Sequence, residues 1–416
     1  MARLPEFHQV RKVRAGAPAI SDVAAAVGAA LAALLARLGL AAGELRGARV
    51  AVTCGSRGID RIAEAARGAC QALSQAGAQP FIIAAMGSHG NATAEGQRRV
   101  LADYGITEAG VGAPVVSCMD AVPLGRSPSG VEVFMDRVAF ETGRILLLNR
   151  VKPHTTFDGD IESGLMKMMA VGLGKLEGAR SFHGSAMRAG FTETILEMAR
   201  VSLATGRVWA GVGLVENDEH ELAEVAAAPA AGIEELDRLL LLRARRMYSR
   251  LPFSELDLLI VDEIGKNIAG TGMDPKVIGR APQPDTPLRL EGITRIRRIY
   301  ARDLTDESKG NANGMGLADV IHKRLFDKID FAASYMNGRT ALNFHTLRMP
   351  MHFDSDEAAL EFLLGNLGSP EPEELRAARI RNTLTLSEFL ASPAAVRQLA
   401  GNDRYEIGPA QPLQLD

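Results

Sequence analysis

Three of the eight histidines stand beside glycine or proline: His89 in Gly87-Ser88-His89-Gly90, His154 in Lys152-Pro153-His154-Thr155, and His183 in Ser181-Phe182-His183-Gly184. An imidazole exchanges a proton near neutral pH, and its neutral form binds metals. Two of them on opposite sides of a substrate carbon suit proton transfer from either face. Three suit a zinc ion with water in the open position, and residue types alone leave both chemistries open. Lys167 is the only charge between Gly164 and Gly174 in GLMKMMAVGLG. If that stretch is buried, desolvation lowers the lysine pKa and favours the neutral amine, which can form a covalent link to a substrate or cofactor. The plainer outcome is a covered stem with the charge snorkelling to water. Arg57, in Gly55-Ser56-Arg57-Gly58, stands where a strand gives way to a helix, and its guanidinium with the helix-start amides suits a carboxylate or phosphate. This glycine pattern falls short of GxGxxG. His8, His220, His322, His345 and His352 have weaker surroundings and read as structural or solvated.

Strands must carry these loops. Residues 50–54 (VAVTC) read as a buried strand, and residues 59–76 follow with apolar side chains at helical spacing. Residues 80–86 form the next strand and run into the His89 loop, after which Asn91 or Thr93 caps a helix reaching Tyr104. A third strand, residues 145–151, leads to His154. This alternation predicts an α/β fold with a parallel sheet, whose strand carboxyl ends are where ligands bind. The loops converge if the strands are parallel neighbours. Residues 163–179 read as a helix or helix-turn, and residues 222–250 as a helix leading out of the first domain. Residues 256–261 start a second α/β unit. The expected domains are therefore 1–250, carrying the cofactor and catalytic histidines, and 251–416, with a ligand cleft between them. In the second, residues 279–288 read as loop, 293–304 as a strand, and the chain from Asp319 onward as mostly helical, including 356–367.

Composition narrows the function classes. The 416 residues are 47% apolar and 23% charged, which excludes a disordered chain and predicts about two domains. With 47 basic and 50 acidic residues the net charge is −3 and no block of one sign stands out, so the electrostatic footprint of a nucleic-acid binder is missing and no nucleic-acid partner is expected. The alanine-rich run at 23–36 is shorter than a bilayer span and lies too far from the start for a signal peptide, so no membrane association is expected. Cys54, Cys70 and Cys118 make no CxxC pair, which fits a reducing compartment, with the cytoplasm as the expected location.

The stretches GSRGID, GSHGNATAEG, VKPHTTFDG, SGLMK and SFHG, in that order over residues 55–184, resemble the nickel-dependent lactate racemase family. The family pattern has a Thr-Arg-Pro type loop, a Gly-Thr-His loop and a Pro-His-Phe type loop, then a glycine-flanked lysine and a histidine. The 16-residue separation of Lys167 and His183 matches the family's covalent lysine and nickel ligand. The resemblance implies a nickel-pincer nucleotide joined to Lys167, its two sulfurs and one ring carbon holding nickel and His183 supplying the fourth ligand. A hydride then passes between the 2-carbon of a small anionic 2-hydroxy acid and the cofactor, with His89 and His154 as the acid/base pair. Arg57 is the implied partner of the substrate carboxylate, and Arg57 and Ser56 lie along the cofactor. Separate biosynthetic proteins would supply that cofactor.

Two departures accompany the resemblance. The stretch between His154 and Lys167 is longer than the family loop, which makes Lys175 the alternative lysine; the kept spacing to His183 favours Lys167. In the second domain GTGMDPKVIGR replaces a Gly-x-Pro-x-Asp type turn, leaving Lys266, Lys276 and Arg280 as substrate-binding candidates and implying a substrate other than lactate. The expectation is a racemase or epimerase of a 2-hydroxy acid. Its rivals are a zinc hydrolase or lyase using His89, His154 and His183, and a non-catalytic nucleotide-cofactor binding protein. Neither the substrate side chain nor the oligomeric state is specified.

Overall fold

The computed structural model describes residues 4–39, 45–56, 58–283, 288, 291–341 and 343–415. Its strands are β1 (Phe7–Lys12), β2 (Arg49–Cys54), β3 (Gln79–Ala84), β4 (Val115–Val116), β5 (Ala121–Arg126), β6 (Glu132–Asp136), β7 (Ile145–Arg150) and β8 (Val208–Glu216). They continue as β9 (Leu222–Pro229), β10 (Glu255–Ile264), β11 (Arg295–Leu304), β12 (Val320–His322), β13 (Met351–Phe353), β14 (Ala377–Ile380), β15 (Glu388–Ala391) and β16 (Tyr405–Gln411). The chain divides into two compact units, one of Ala17–His154 and Asp158–Tyr248, the other of Met1–Gly16, Thr155–Phe157 and Ser249–Asp416. The fold is α/β, as the alternation of strand and helix predicts.

The larger unit holds a six-stranded sheet in the order β4-β3-β2-β7-β8-β9, parallel except for β9. The strands wind outward from β2 in one direction and from β7 in the other, which puts the topological switch point between those two carboxyl ends. On one face Val50, Val52, Cys54, Ile82 and Ala84 share an apolar cluster with helices Val23–Arg37 and Ile62–Gln75. Those helices cross closely because Gly68 has no Cβ; one there would lie 2.3 Å from the Ala24 carbonyl oxygen. On the other face helix Ile233–Arg246 lays Leu240 where a Cβ on Gly213 would fall, 2.2 Å from Leu240 Cδ1. The sheet is thus covered on both faces, as parallel strands require. Burial raises the thiols of Cys54 and Cys70, Cys70 to about 12, so neither is a nucleophile at neutral pH.

Part of the expected helix at 222–250 is a strand. Leu222–Pro229 (LAEVAAAP) pairs antiparallel with β8 along its length, and only Ile233–Arg246 is helical. Its alanines favour a helix, but the open edge of β8 rewards pairing, and Pro229 ends the strand.

The smaller unit has an eight-stranded sheet in the order β13-β12-β11-β10-β14-β15-β1-β16, parallel from β13 to β14 and antiparallel thereafter. Helix Asp356–Asn366 packs Leu360, Leu363 and Leu364 on Leu258, Ile260, Tyr300 and Phe7. The segment from Asp319 onward is not mostly helical, since it supplies β12 to β16, several of them three or four residues long and too short to show a period. A boundary at 250 also puts the first residues on the wrong side, because β1 lies between β15 and β16 in this sheet. Among the described residues no helix is long and apolar enough to cross a membrane.

Candidate functional site

Three parallel neighbours, β3, β2 and β7, end side by side, and each runs into a loop singled out by sequence. After β2 come Gly55 and Ser56; Arg57 lies outside the described residues. A Cβ on Gly55 would stand 3.3 Å from Met168 Cε and 3.8 Å from Asn149 Oδ1, so this loop lies against both the residue after Lys167 and the end of β7. Ser56 Oγ and His89 Nδ1 share a 2.7 Å hydrogen bond, which orients the exposed imidazole. The Tyr104 hydroxyl donates to the Ser56 carbonyl over 3.3 Å. Thr93, one of the two expected caps, accepts from Gly96 N and starts helix Ala94–Asp103.

The lysine turn is built on a buried acid. Leu165–Lys167 make one helical turn, Met168–Gly172 are π-helical, and helix Lys175–Ala189 follows. Asp237, on helix Ile233–Arg246, accepts the Met166 amide over 2.8 Å. Gly164 must lack a side chain, because a Cβ would sit 1.9 Å from Asp237 Oδ1. From the other side Asn149 Nδ2 donates to the Gly164 carbonyl over 2.9 Å. Burial pushes the Asp237 carboxyl up to about 7, against the pull of the Met166 and Leu165 amides. Lys167 itself is half-buried. His183 is exposed on helix Lys175–Ala189, yet crowding by protein lowers its pKa, and the Lys167 charge lowers it further. The two side chains of the 16-residue spacing therefore act on each other.

Lys175, the alternative lysine, is wholly buried. Its ammonium donates to Ala84 O over 2.8 Å and to Gln97 Oε1 over 2.7 Å, and pairs with Asp136 Oδ2 at 3.5 Å. The His154 loop closes through paired backbone hydrogen bonds between Lys152 and Ser163. Glu162, 1% exposed, accepts the His154 amide on one oxygen and, on the other, Arg245 Nη2 at 2.5 Å and the Gly159 amide at 3.4 Å.

The smaller unit's candidates differ among themselves. Lys276 is 1% exposed, and its ammonium lies 3.5 Å from the Phe157 carbonyl oxygen. Lys266 donates to Gly270 O and to Asn337 Oδ1. Arg280, expected to bind substrate, pairs with Asp319 and donates to the carbonyls of Leu317 and Arg297. Asp319 lies too far along the chain for spacing to reveal it.

Sequence reasoning missed Glu162, Asp237, Asn149 and the Lys175–Asp136–Gln97 group. One signal was available for Asp237: Ile233, Asp237, Leu240, Leu241 and Ala244 are all buried on the same helix, so an acid at that spacing is aimed inward. Among the described residues no three His, Cys, Asp or Glu side chains gather around one point. His89, His154 and His183 are not gathered into such a group in this structure.

No family model matches the chain, and no curated protein matches it. Solved structures do. The lactate racemase apoprotein from Thermoanaerobacterium thermosaccharolyticum superposes with a TM-score of 0.52 at 12% identity, over 90% of this chain and 94% of that one. A structural-genomics target from Thermotoga maritima gives 0.50 at 14% identity, over 70% of this chain and 72% of that one. The fold is thus lactate racemase-like.

Proposed function

We propose that this protein is a racemase or epimerase of a small 2-hydroxy acid and works with a nickel-pincer nucleotide attached at Lys167. The observation that carries the reading is the Ser56–His89 hydrogen bond joining the loops after β2 and β3, with Gly55 packed against Met168 and Gly87 against Ala179, at the switch point of a doubly wound sheet. The lactate racemase-like fold supports it.

The donor set fits such a group. His183 offers an imidazole exposed on its helix, a donor that suits a metal arriving with soft donors of its own. When bound, the cofactor supplies a hydride acceptor for the substrate's 2-carbon. The chain's residues do the rest. Ser56 holds the His89 ring through Nδ1, His89 takes or returns the hydroxyl proton, and His154 exchanges it for the opposite enantiomer. Arg57 is the proposed partner of the substrate carboxylate. Biosynthetic proteins acting before turnover deliver the cofactor.

The test is to produce the chain in cells that make the cofactor, map the adduct by peptide mass spectrometry and follow 2-hydroxy acids by chiral chromatography. Nickel, added mass on the Lys167 peptide and interconversion of enantiomers or epimers are expected. An adduct on Lys175 would sink the attachment site, and loaded protein that leaves every 2-hydroxy acid unchanged would sink the activity in favour of a cofactor-binding role.

A further inference from the structure

The His89 loop and the His183 helix meet directly. A Cβ on Gly87, two residues before His89, would lie 2.9 Å from Ala179 Cβ, and Ala179 stands one helical turn before His183. Beneath that contact three polar side chains are wholly buried together: Lys175, Gln97 and Asp136. Lys175 is the first residue of the His183 helix. Its ammonium donates to Ala84 O at the end of β3 and to Gln97 Oε1, and faces Asp136 Oδ2 at 3.5 Å as an ion pair, a buried oxygen with no hydrogen-bond partner. Gln97 passes the connection on, its amide donating to Met86 O over 2.9 Å and to Gly87 O over 3.0 Å, the two carbonyls that lead into Ser88-His89. Asp136 Oδ1 caps helix Arg137–Thr142 by accepting from Ala139 N, and the Asp136 amide donates to Leu173 O just before the His183 helix.

This arrangement is costly. Burying an ammonium and a carboxylate takes several kcal/mol of hydration from each. Lys175 also holds φ at +56°, a left-handed backbone conformation that glycine adopts at less cost. An apolar side chain would satisfy the core more cheaply, but it would present no directed donor to β3 and Gln97. We propose that Lys175 is a positioning residue: through Ala84 and Gln97 its buried ammonium ties the His89 loop to the start of the His183 helix, and so sets how the two histidines face each other. The importance of that separation for turnover rests on the proposed function; the tie itself does not.

The test reads imidazole signals in protein labelled with ¹³C-histidine, without nickel or turnover, and assigns His89 and His183 by single His→Gln variants. Lys175→Met with Asp136→Asn removes both buried charges together, which spares the fold an unpaired ion. If Lys175 merely balances charge, this double variant keeps both ring signals where the parent has them, and that result overturns the proposal. If it positions, both rings shift, and amide exchange over residues 87–92 rises about tenfold as the loop loosens. Gln97→Met leaves the lysine–aspartate pair and the Lys175 bond to Ala84, and removes the whole Gln97 arm, both its bond from Lys175 and its bonds to Met86 and Gly87, so His89 should move and His183 stay. An unmoved His89 in that variant overturns the proposal even if the double variant fails to fold. Moved rings in a protein whose cofactor-loaded form turns over no 2-hydroxy acid would refute the proposed function and leave the tie standing.

Discussion

Two lysines eight residues apart meet opposite fates. Lys175 is buried among acceptors, whereas Lys167 is half-buried with its charge bearing on His183. The candidate residues stand out in sequence because they lie in glycine-, proline-rich or apolar stretches; their supports do not, because Asp237 reaches Met166 and Lys175 reaches Gln97 only after folding. The same distinction separates His89 from Ser56. On the proposed function, replacing His89 by Ala removes the acid–base group and should lower racemisation by about 10²–10⁴-fold. Ser56→Ala removes one hydrogen bond that orients the ring and should cost about tenfold or less. If Ser56 acts through His89, adding Ser56→Ala to His89→Ala lowers the rate no further. Initial rates by chiral chromatography check this, and a further drop in the double variant would assign Ser56 a direct contact with the cofactor.

At the scale of elements, both the lysine turn and the His154 loop hang on buried carboxylates. Asp237 caps the turn and Glu162 gathers the His154 and Gly159 amides. Strands β2, β3 and β7 were legible from their apolar runs, and the convergence of their loops follows from parallel pairing. The edge strand β9 was not, since its alanines carry a helical preference that only the neighbouring β8 overrides. Asp237 gives this scale a pH signature. Its folded pKa of about 7 lies above the unfolded carboxylate value, so between pH 4 and 7 the native state binds the extra proton. The contribution is present below that window and is lost as pH rises through about 7. Asp237→Asn keeps an acceptor for the Met166 amide and removes the titration. Relative to the variant, the parent should therefore lose stability with rising pH, by at most about 1.4 kcal/mol per unit. Urea midpoints from pH 5 to 8 test it; parallel profiles for parent and variant would show that Asp237 does not titrate there.

At the scale of the whole molecule, the smaller unit is assembled from distant parts of the chain. Its sheet runs β14-β15-β1-β16, so a strand from the first sixteen residues lies between two from the last forty. Nothing local in FHQVRK announces that, because the six residues find their partners almost four hundred positions away. Phe7 makes the consequence measurable. It is wholly buried in the cluster of Leu258, Ile260, Tyr300 and Leu363. Truncating a buried Phe to Ala removes its transfer free energy and leaves a cavity, together about 3–5 kcal/mol. The loss falls on the unit whose core is opened, since β1 contributes to no other sheet. Phe7→Ala should therefore speed amide exchange in β10, β14, β15 and β16 while β2, β3 and β7 keep their protection, read by mass spectrometry of exchanged peptides. A sequence domain of 1–250 predicts the reverse, with β2, β3 and β7 loosened first. Protection lost equally in both sheets would mean that the two units unfold as one.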